Sequence, residues 1–233
     1  FSRTLFAEGG DCVRGSILVP GELTPALRGV DAVLHLAAVT TDTPGATDAD
    51  FFQTNTVGTF NVLEAAAAAG VGKVVYASSV CAVGFRATPR VVLETDRCEP
   101  TDGMYGTSKY LAERLCERYA AERGLSVICL RFAMVVPQHD LPAPADRNAR
   151  GWLGAVHVED AVEACRLALD DETVRFGVFH VAADGPHSKF DISRAKAELG
   201  YRPKHRLEDA VPSRTLSLAR GLLRRSKRAL RLP

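Results

Sequence analysis

The chain has 233 residues, 46% hydrophobic and 24% charged, with a net charge of +1. That length and balance describe a globular domain that buries its own core, with no overall charge bias toward nucleic acid. No apolar run approaches the roughly 18 residues of a membrane span and no signal peptide is visible, so a cytoplasmic protein is expected.

Residues 1–3 read as the tail of a strand, 12–18 as a strand and 23–28 as a short helix. Residues 31–38 form an almost continuous apolar run, as in a parallel strand covered on both faces. A helix is expected over 48–69, closed by Gly70, and a strand over 73–78. Residues 104–123 read as a helix stopped by Gly124, and 126–132 as a strand. Then come a helix over 158–169, a strand over 177–183 and a helix over 191–199, ended by Gly200 and Pro203. This alternation implies an α/β domain with a doubly wound, Rossmann-like parallel sheet.

A complete dinucleotide half also needs a first strand, a Gly-x-Gly-x-x-Gly turn and its helix. None of Gly9, Gly10, Gly15 or Gly21 stands between a strand and a helix at that spacing. The fold is therefore expected to be N-terminally truncated, lacking about 30–40 residues of strand, loop and helix. Residues 1–212 read as one domain, with a small substrate lobe from 137–156 and 184–212. Residues 213–233 read as a basic tail helix, with arginines among leucines, that packs on the domain or contacts an acidic surface. The six cysteines (Cys12, Cys81, Cys98, Cys116, Cys129 and Cys165) contain no Cys-x-x-Cys pair. They read as reduced, mostly buried thiols, and no metal is expected.

The chemistry is concentrated in Tyr105-Gly106-Thr107-Ser108-Lys109. Residues i and i+4 of a helix share a face, so the phenol and the amine project together. A free tyrosine titrates near pH ~10, and a nearby ammonium together with a cationic nicotinamide favours the phenolate. Ser79, at the end of an apolar strand, would hydrogen-bond a substrate oxygen and hold it beside that phenol. His35 reads as a core histidine, and His157 with Asp160 as a helix-start cap pair.

His35-Leu36-Ala37-Ala38, Asn55-Thr56-Val57-Gly58-Thr59, Leu63-Glu64-Ala65-Ala66, Tyr76-Ala77-Ser78-Ser79, Tyr105-Gly106-Thr107-Ser108-Lys109 and His157-Val158-Glu159-Asp160 occur in that order. Together they resemble the extended short-chain dehydrogenase/reductases of the NAD-dependent epimerase/dehydratase family, over about residues 13–203. The resemblance implies that Ser79, Tyr105 and Lys109 are catalytic. It implies cofactor contacts from Leu36, Ala37, Ala38, Asn55, Ser78, Tyr105 and Lys109, and a homodimer paired through the Tyr105 helix. The cofactor is NAD or NADP; Arg3, just after the second strand, could pair with a 2′-phosphate and favours NADP.

The chain departs from the family at Gly15-Ser16, where Gly-Asp is usual, at Ala82-Val83-Gly84, where Val-Tyr-Gly is usual, and at Val135-Val136-Pro137, where Tyr-Gly-Pro is usual. The short segments available for a substrate lobe resemble the compact members that oxidise free sugars, such as uronate dehydrogenases. There Ser79, Val80, Arg147 and Arg150 fall at substrate-contacting positions, either arginine being able to clamp a carboxylate, although Val80 and Cys81 stand where those enzymes carry polar residues. The expected activity is hydride transfer between a nicotinamide and a hydroxyl or carbonyl of a small sugar. The alternatives are a nucleotide-sugar epimerase or dehydratase, and a non-catalytic protein that binds a dinucleotide or a protein partner.

Overall fold

The computed structural model describes residues 12–84, 90–136, 154–185 and 188–205. Four parallel strands lie in the order β1-β2-β3-β6: β1 is Ala32–His35, β2 Lys73–Ser79, β3 Ser126–Phe132 and β6 Phe176–Val181. A second parallel pair joins β4, Met134–Val136, to β5, Ala155–His157. Among the described residues the α-helices are α1 (Pro20–Ala26), α2 (Asp48–Phe51), α3 (Gly58–Ala69), α4 (Val80–Val83), α5 (Met104–Arg123), α6 (Val158–Asp170) and α7 (Ser193–Glu198).

The alternation of a strand divides the core in two. Val74 and Tyr76 of β2, with Val127 and Cys129 of β3, face Leu63 and Ala66 of α3 and Ala112 and Cys116 of α5. Val75, Ile128, Leu130 and Phe179 face Ala161, Ala164 and Ala168 of α6. Helices on both faces of a parallel sheet make the architecture doubly wound and Rossmann-like, as expected. No helix among the described residues is long and apolar enough to cross a membrane.

The structure differs from the expected elements in instructive ways. No strand forms over residues 12–18, which carry only a single-residue bridge at Arg14. Pro20, at the first position of α1, starts a helix there instead, and the Ser16 amide donates to Glu22 at 2.7 Å. Ile17 lies so close to α3 that a Cβ on Gly58 would stand 2.5 Å from its Cδ1. β1 stops at His35 instead of Ala38, and beyond it both backbone groups of Val39 are taken by the Asn55 side chain. The expected helix over 48–69 contains a π-helical stretch, Phe52–Val57, between α2 and α3. α4 and the small β4–β5 sheet were not expected from periodicity, being only three or four residues each. Arg3, Arg147, Arg150 and the basic stretch 213–233 lie outside the described residues.

The two layers on the α5 side are joined by a buried ion pair. Arg131 of β3 donates from Nε and Nη2 to the two oxygens of Glu113 at 2.8 and 2.7 Å, with side chains 2% and 0% exposed. Ser78 Oγ donates to the same carboxylate at 2.6 Å. Removing one partner strands a buried charge, so Glu113→Ala is expected to lower unfolding free energy by about 3–5 kcal/mol. Arg118→Ala, at an exposed pair with Glu122, is expected to cost less than about 1 kcal/mol. Urea denaturation of the two variants measures the difference, and equal effects would refute the assignment.

Candidate active site

Ser79 ends β2 and caps α4, its Oγ accepting from the Cys81 amide at 3.1 Å. Tyr105 is the second residue of α5, one turn before Lys109. The loop between α4 and α5 is stitched to α4 by Glu99 N donating to Val83 O and Thr101 N to Cys81 O, both at 3.0 Å. Only glycine fits at the crossing: a Cβ on Gly106 would lie 2.0 Å from Thr101 O and 2.6 Å from Cys81 O. This joint brings the end of β2, with Ser79, and the start of α5, with Tyr105, to the same edge of the sheet.

Lys109 is 3% exposed and donates from Nζ to Ala77 O at 2.8 Å. The amine also sits 5.1 Å above the Tyr76 ring centroid. Burial lowers its pKa to about 8, against the restoring charge of Glu113 one turn further on. The protein's own groups push the Tyr105 phenol up. Burial is the main cause, with smaller contributions from Cys81, Asp102 and Asp42, while the nearby Ser79 hydroxyl acts the other way. The neighbouring amine alone therefore does not make the phenol a base, contrary to the simplest expectation from their spacing.

Asn55 is 1% exposed and holds the end of β1 against α5. Its Oδ1 accepts from Val39 N at 2.8 Å, and its Nδ2 donates to Val39 O at 2.9 Å and to Ser108 Oγ at 3.1 Å. Ser108 Oγ in turn donates to Tyr105 O at 2.7 Å. Both amide hydrogens of Asn55 are thus spent on the protein. Ser78 is likewise committed to Glu113. Val80 is 5% exposed and packs in the core of the α6 side. Leu36, Ala37 and Ala38 line a cavity of about 830 Å³ that runs along the length of β1, with Leu27, Val30, Ala32 and Thr54. Ser79, Tyr105 and Lys109 do not line that cavity.

His35 is buried, its Nε2 at 3.0 Å from Thr59 Oγ1, and its pKa is driven down to about 3, chiefly by burial and then by Lys109. It is a neutral core group. His157 caps α6, its Nδ1 accepting from Glu159 N at 3.3 Å. Asp160 does not act as a cap in the same way: it accepts from Lys204 N and His205 N at 2.8 and 3.0 Å and so holds the chain beyond α7. Asp102, and its pairing with Cys81, escaped the sequence reading. The Cys81 thiol donates to Asp102 Oδ2 at 3.0 Å, beside the phenol, and burial lifts its pKa to about 12. No spacing rule marks such a pair, because the contact spans a loop.

Residues 3–151 match the NAD dependent epimerase/dehydratase family. The chain is 30% identical over 190 residues to an NAD-dependent glucose-6-phosphate dehydrogenase of Haloferax volcanii, covering 77% of this chain and 70% of that protein. It is 30% identical over 217 residues to an L-arabinose 1-dehydrogenase (NAD(P)(+)) of the same organism, covering 84% and 83%. Its fold is similar to that of a uronate dehydrogenase variant from Agrobacterium tumefaciens solved with NAD, with TM-score 0.76, 22% identity and coverage of 89% of this chain and 76% of that one.

The buried histidines set a pH dependence. His35 and His180 both have pKa values lowered to about 3 in the folded chain, chiefly by burial. The unfolded chain binds protons near pH ~6.5, so between these values it holds more protons than the folded chain and stability falls as pH drops from about 6.5 toward 3. Urea midpoints are expected to decline from about pH 7 to about pH 5, and less steeply in His35→Gln. A stability that is flat across that interval would exclude two neutral core histidines.

Proposed function

The chain belongs to the NAD dependent epimerase/dehydratase family, and we propose that it transfers hydride between a nicotinamide cofactor and a hydroxyl or carbonyl of a small sugar or related compound. The observation that carries this reading is the placement of Ser79 at the end of β2 and Tyr105 at the start of α5, joined through the loop stitched to α4, with the buried Lys109 one turn on. Ligands of open α/β sheets bind at this carboxyl edge. The sugar dehydrogenases among the relatives support the substrate class.

The donor set fits a dinucleotide. An ammonium has three donors, and Lys109 gives one to Ala77 O, leaving hydrogens for ribose hydroxyls. Ala37 and Ala38 keep the end of β1 free of bulky side chains beside the cavity they line. Asn55 acts through Val39 and Ser108, as a positioning residue. When bound, the nicotinamide supplies the hydride acceptor and a positive ring. Tyr105 takes the proton of the substrate hydroxyl, and Ser79 donates a hydrogen bond to the same oxygen. Lys109, with its pKa near 8, is largely charged at neutral pH and favours the phenolate.

The proposal extends to parts of the chain outside the described residues. Arg147 or Arg150 clamps a substrate carboxylate, within a lobe formed by 137–156 and 184–212. Arg3 selects NADP over NAD. The protein works in the cytoplasm as a homodimer paired through α5, and its basic residues 213–233 contact an acidic surface.

Absorbance of the reduced nicotinamide, measured with NAD and NADP against aldoses, uronates and nucleotide sugars, tests the reading. Turnover is expected with a free sugar, and Tyr105→Phe and Lys109→Met are each expected to lower kcat by about 10²- to 10⁴-fold. An epimerase would isomerise a nucleotide sugar with no net absorbance change, and a binding protein would hold the cofactor without turnover. Unchanged turnover in Tyr105→Phe would overturn the mechanism.

A further inference from the structure

We propose a divalent transition-metal site of the zinc class, built by His157, Glu159 and His205 where α6 begins. One ligand atom from each residue lies within 4.8 Å of the others. The pair Glu159 Oε2 and His205 Nε2 is already 3.5 Å apart. Two ligand atoms held about 2.0–2.1 Å from a tetrahedral zinc ion stand roughly 3.3 Å apart, so half of the site has its spacing before any ion arrives.

His205 is prepared for this role by a buried carboxylate. Asp160, 2% exposed, accepts from the backbone N–H groups of Lys204 and His205 and stands 3.1 Å from His205 Nδ1. A carboxylate only accepts, so Nδ1 carries the hydrogen of the neutral imidazole and Nε2 carries the lone pair. That lone pair is on the Glu159 side. A histidine that donates one nitrogen to a carboxylate and offers the other is the usual support of a metal ligand.

His157 completes the set. Its ring stacks on His205 with centroids 3.7 Å apart and 22° between the planes. Parallel rings do not aim their lone pairs at one point, so His157 must turn out of the stack to ligate. It gives up the stack and the contact between Nδ1 and the Glu159 amide, which at 3.3 Å is a long hydrogen bond. Two imidazoles and one carboxylate select zinc, cobalt or nickel over magnesium and calcium, and three protein ligands leave a fourth position for water. Glu159 and Asp160 supply the negative charge that a cation at a helix N-terminus requires. The ion would fasten residues 204–205, beyond α7, to the end of β5. No sequence spacing announces such a site, because its ligands come from two distant segments.

The site is independent of the catalytic reading and is tested without activity. Zn²⁺ and Co²⁺ are titrated into the untagged, metal-free chain, following the melting temperature and the visible absorption of Co²⁺. One ion is expected to bind and to raise the melting temperature, because it binds only the folded chain, and Mg²⁺ is expected to have no effect. His205→Ala and the surface variant Glu159→Gln are each expected to weaken binding by at least about tenfold, and Asp160→Asn by about 10- to 100-fold. Cys12→Ser, at an exposed thiol, is expected to leave affinity unchanged. Absence of binding to the parent chain, or affinity unchanged in both His205→Ala and Glu159→Gln, would overturn the proposal.

Discussion

The buried face of α5 is the constraint on which the candidate site depends. Ser108, Lys109 and Glu113 are all within 3% of full burial, and each has a partner on a different element. Ser108 meets Asn55 of the π-helical stretch, Lys109 meets the backbone of β2, and Glu113 meets Arg131 of β3 and Ser78 of β2. A buried charge is costly unless it is paired. Here the charges alternate, from the Arg131 guanidinium through the Glu113 carboxylate to the Lys109 ammonium. Glu113 pulls the lysine pKa up against burial. The ion pair at the centre of the sheet thus helps keep a charged amine one turn from the phenol.

The π-helical stretch belongs to the same arrangement. A π turn adds a residue to a helix and re-aims the side chains within it, and such turns are frequent at functional sites. In this chain it holds Asn55 and Thr56, both buried. Thr56 Oγ1 donates to Ser108 O at 3.2 Å, beside the bond from Asn55 to Ser108 Oγ. The chain leaving β1 and the start of α5 are therefore fixed to one another through a single segment. Thr59 extends the contact to His35: its Oγ1 donates its one hydrogen to Asn55 O at 2.7 Å and so accepts from His35 Nε2 at 3.0 Å. The residues at the end of β1 are positioned from beneath by these polar groups.

Much of this was legible in the sequence, and the reasons are physical. Runs such as Val74 to Tyr76 and Val127 to Leu130 must be buried on both faces, and the glycines after α3 and α5, with φ of 74° and 72°, end helices where the spacing said they would. Tyr105, Lys109 and Ser79 stood out because their roles depend on a strand end and one helical turn, both of which are local patterns. What could not be read was set by tertiary contacts. The chain beyond β1 is held by a side chain sixteen residues on in sequence. Residues 12–18 carry apolar side chains without a neighbouring strand to pair with among the described residues. The Arg131–Glu113 pair could have been suspected from an arginine inside an apolar strand and an acid on an apolar helix face, but its partner choice could not.

The loop into α5 shows how placement and acidity oppose each other at this site. Asp102 and Gly103 both adopt positive φ, 59° and 60°, a conformation that costs a non-glycine residue on the order of 1 kcal/mol or more. The bonds from this loop to α4, including Cys81 Sγ to Asp102, hold the turn in place. The same turn sets the first residues of α5 against Ser79. Yet it also brings Cys81 and Asp102 close to the Tyr105 phenol, where both work with burial to raise its pKa. A site assembled in this way keeps the phenol protonated by its own groups.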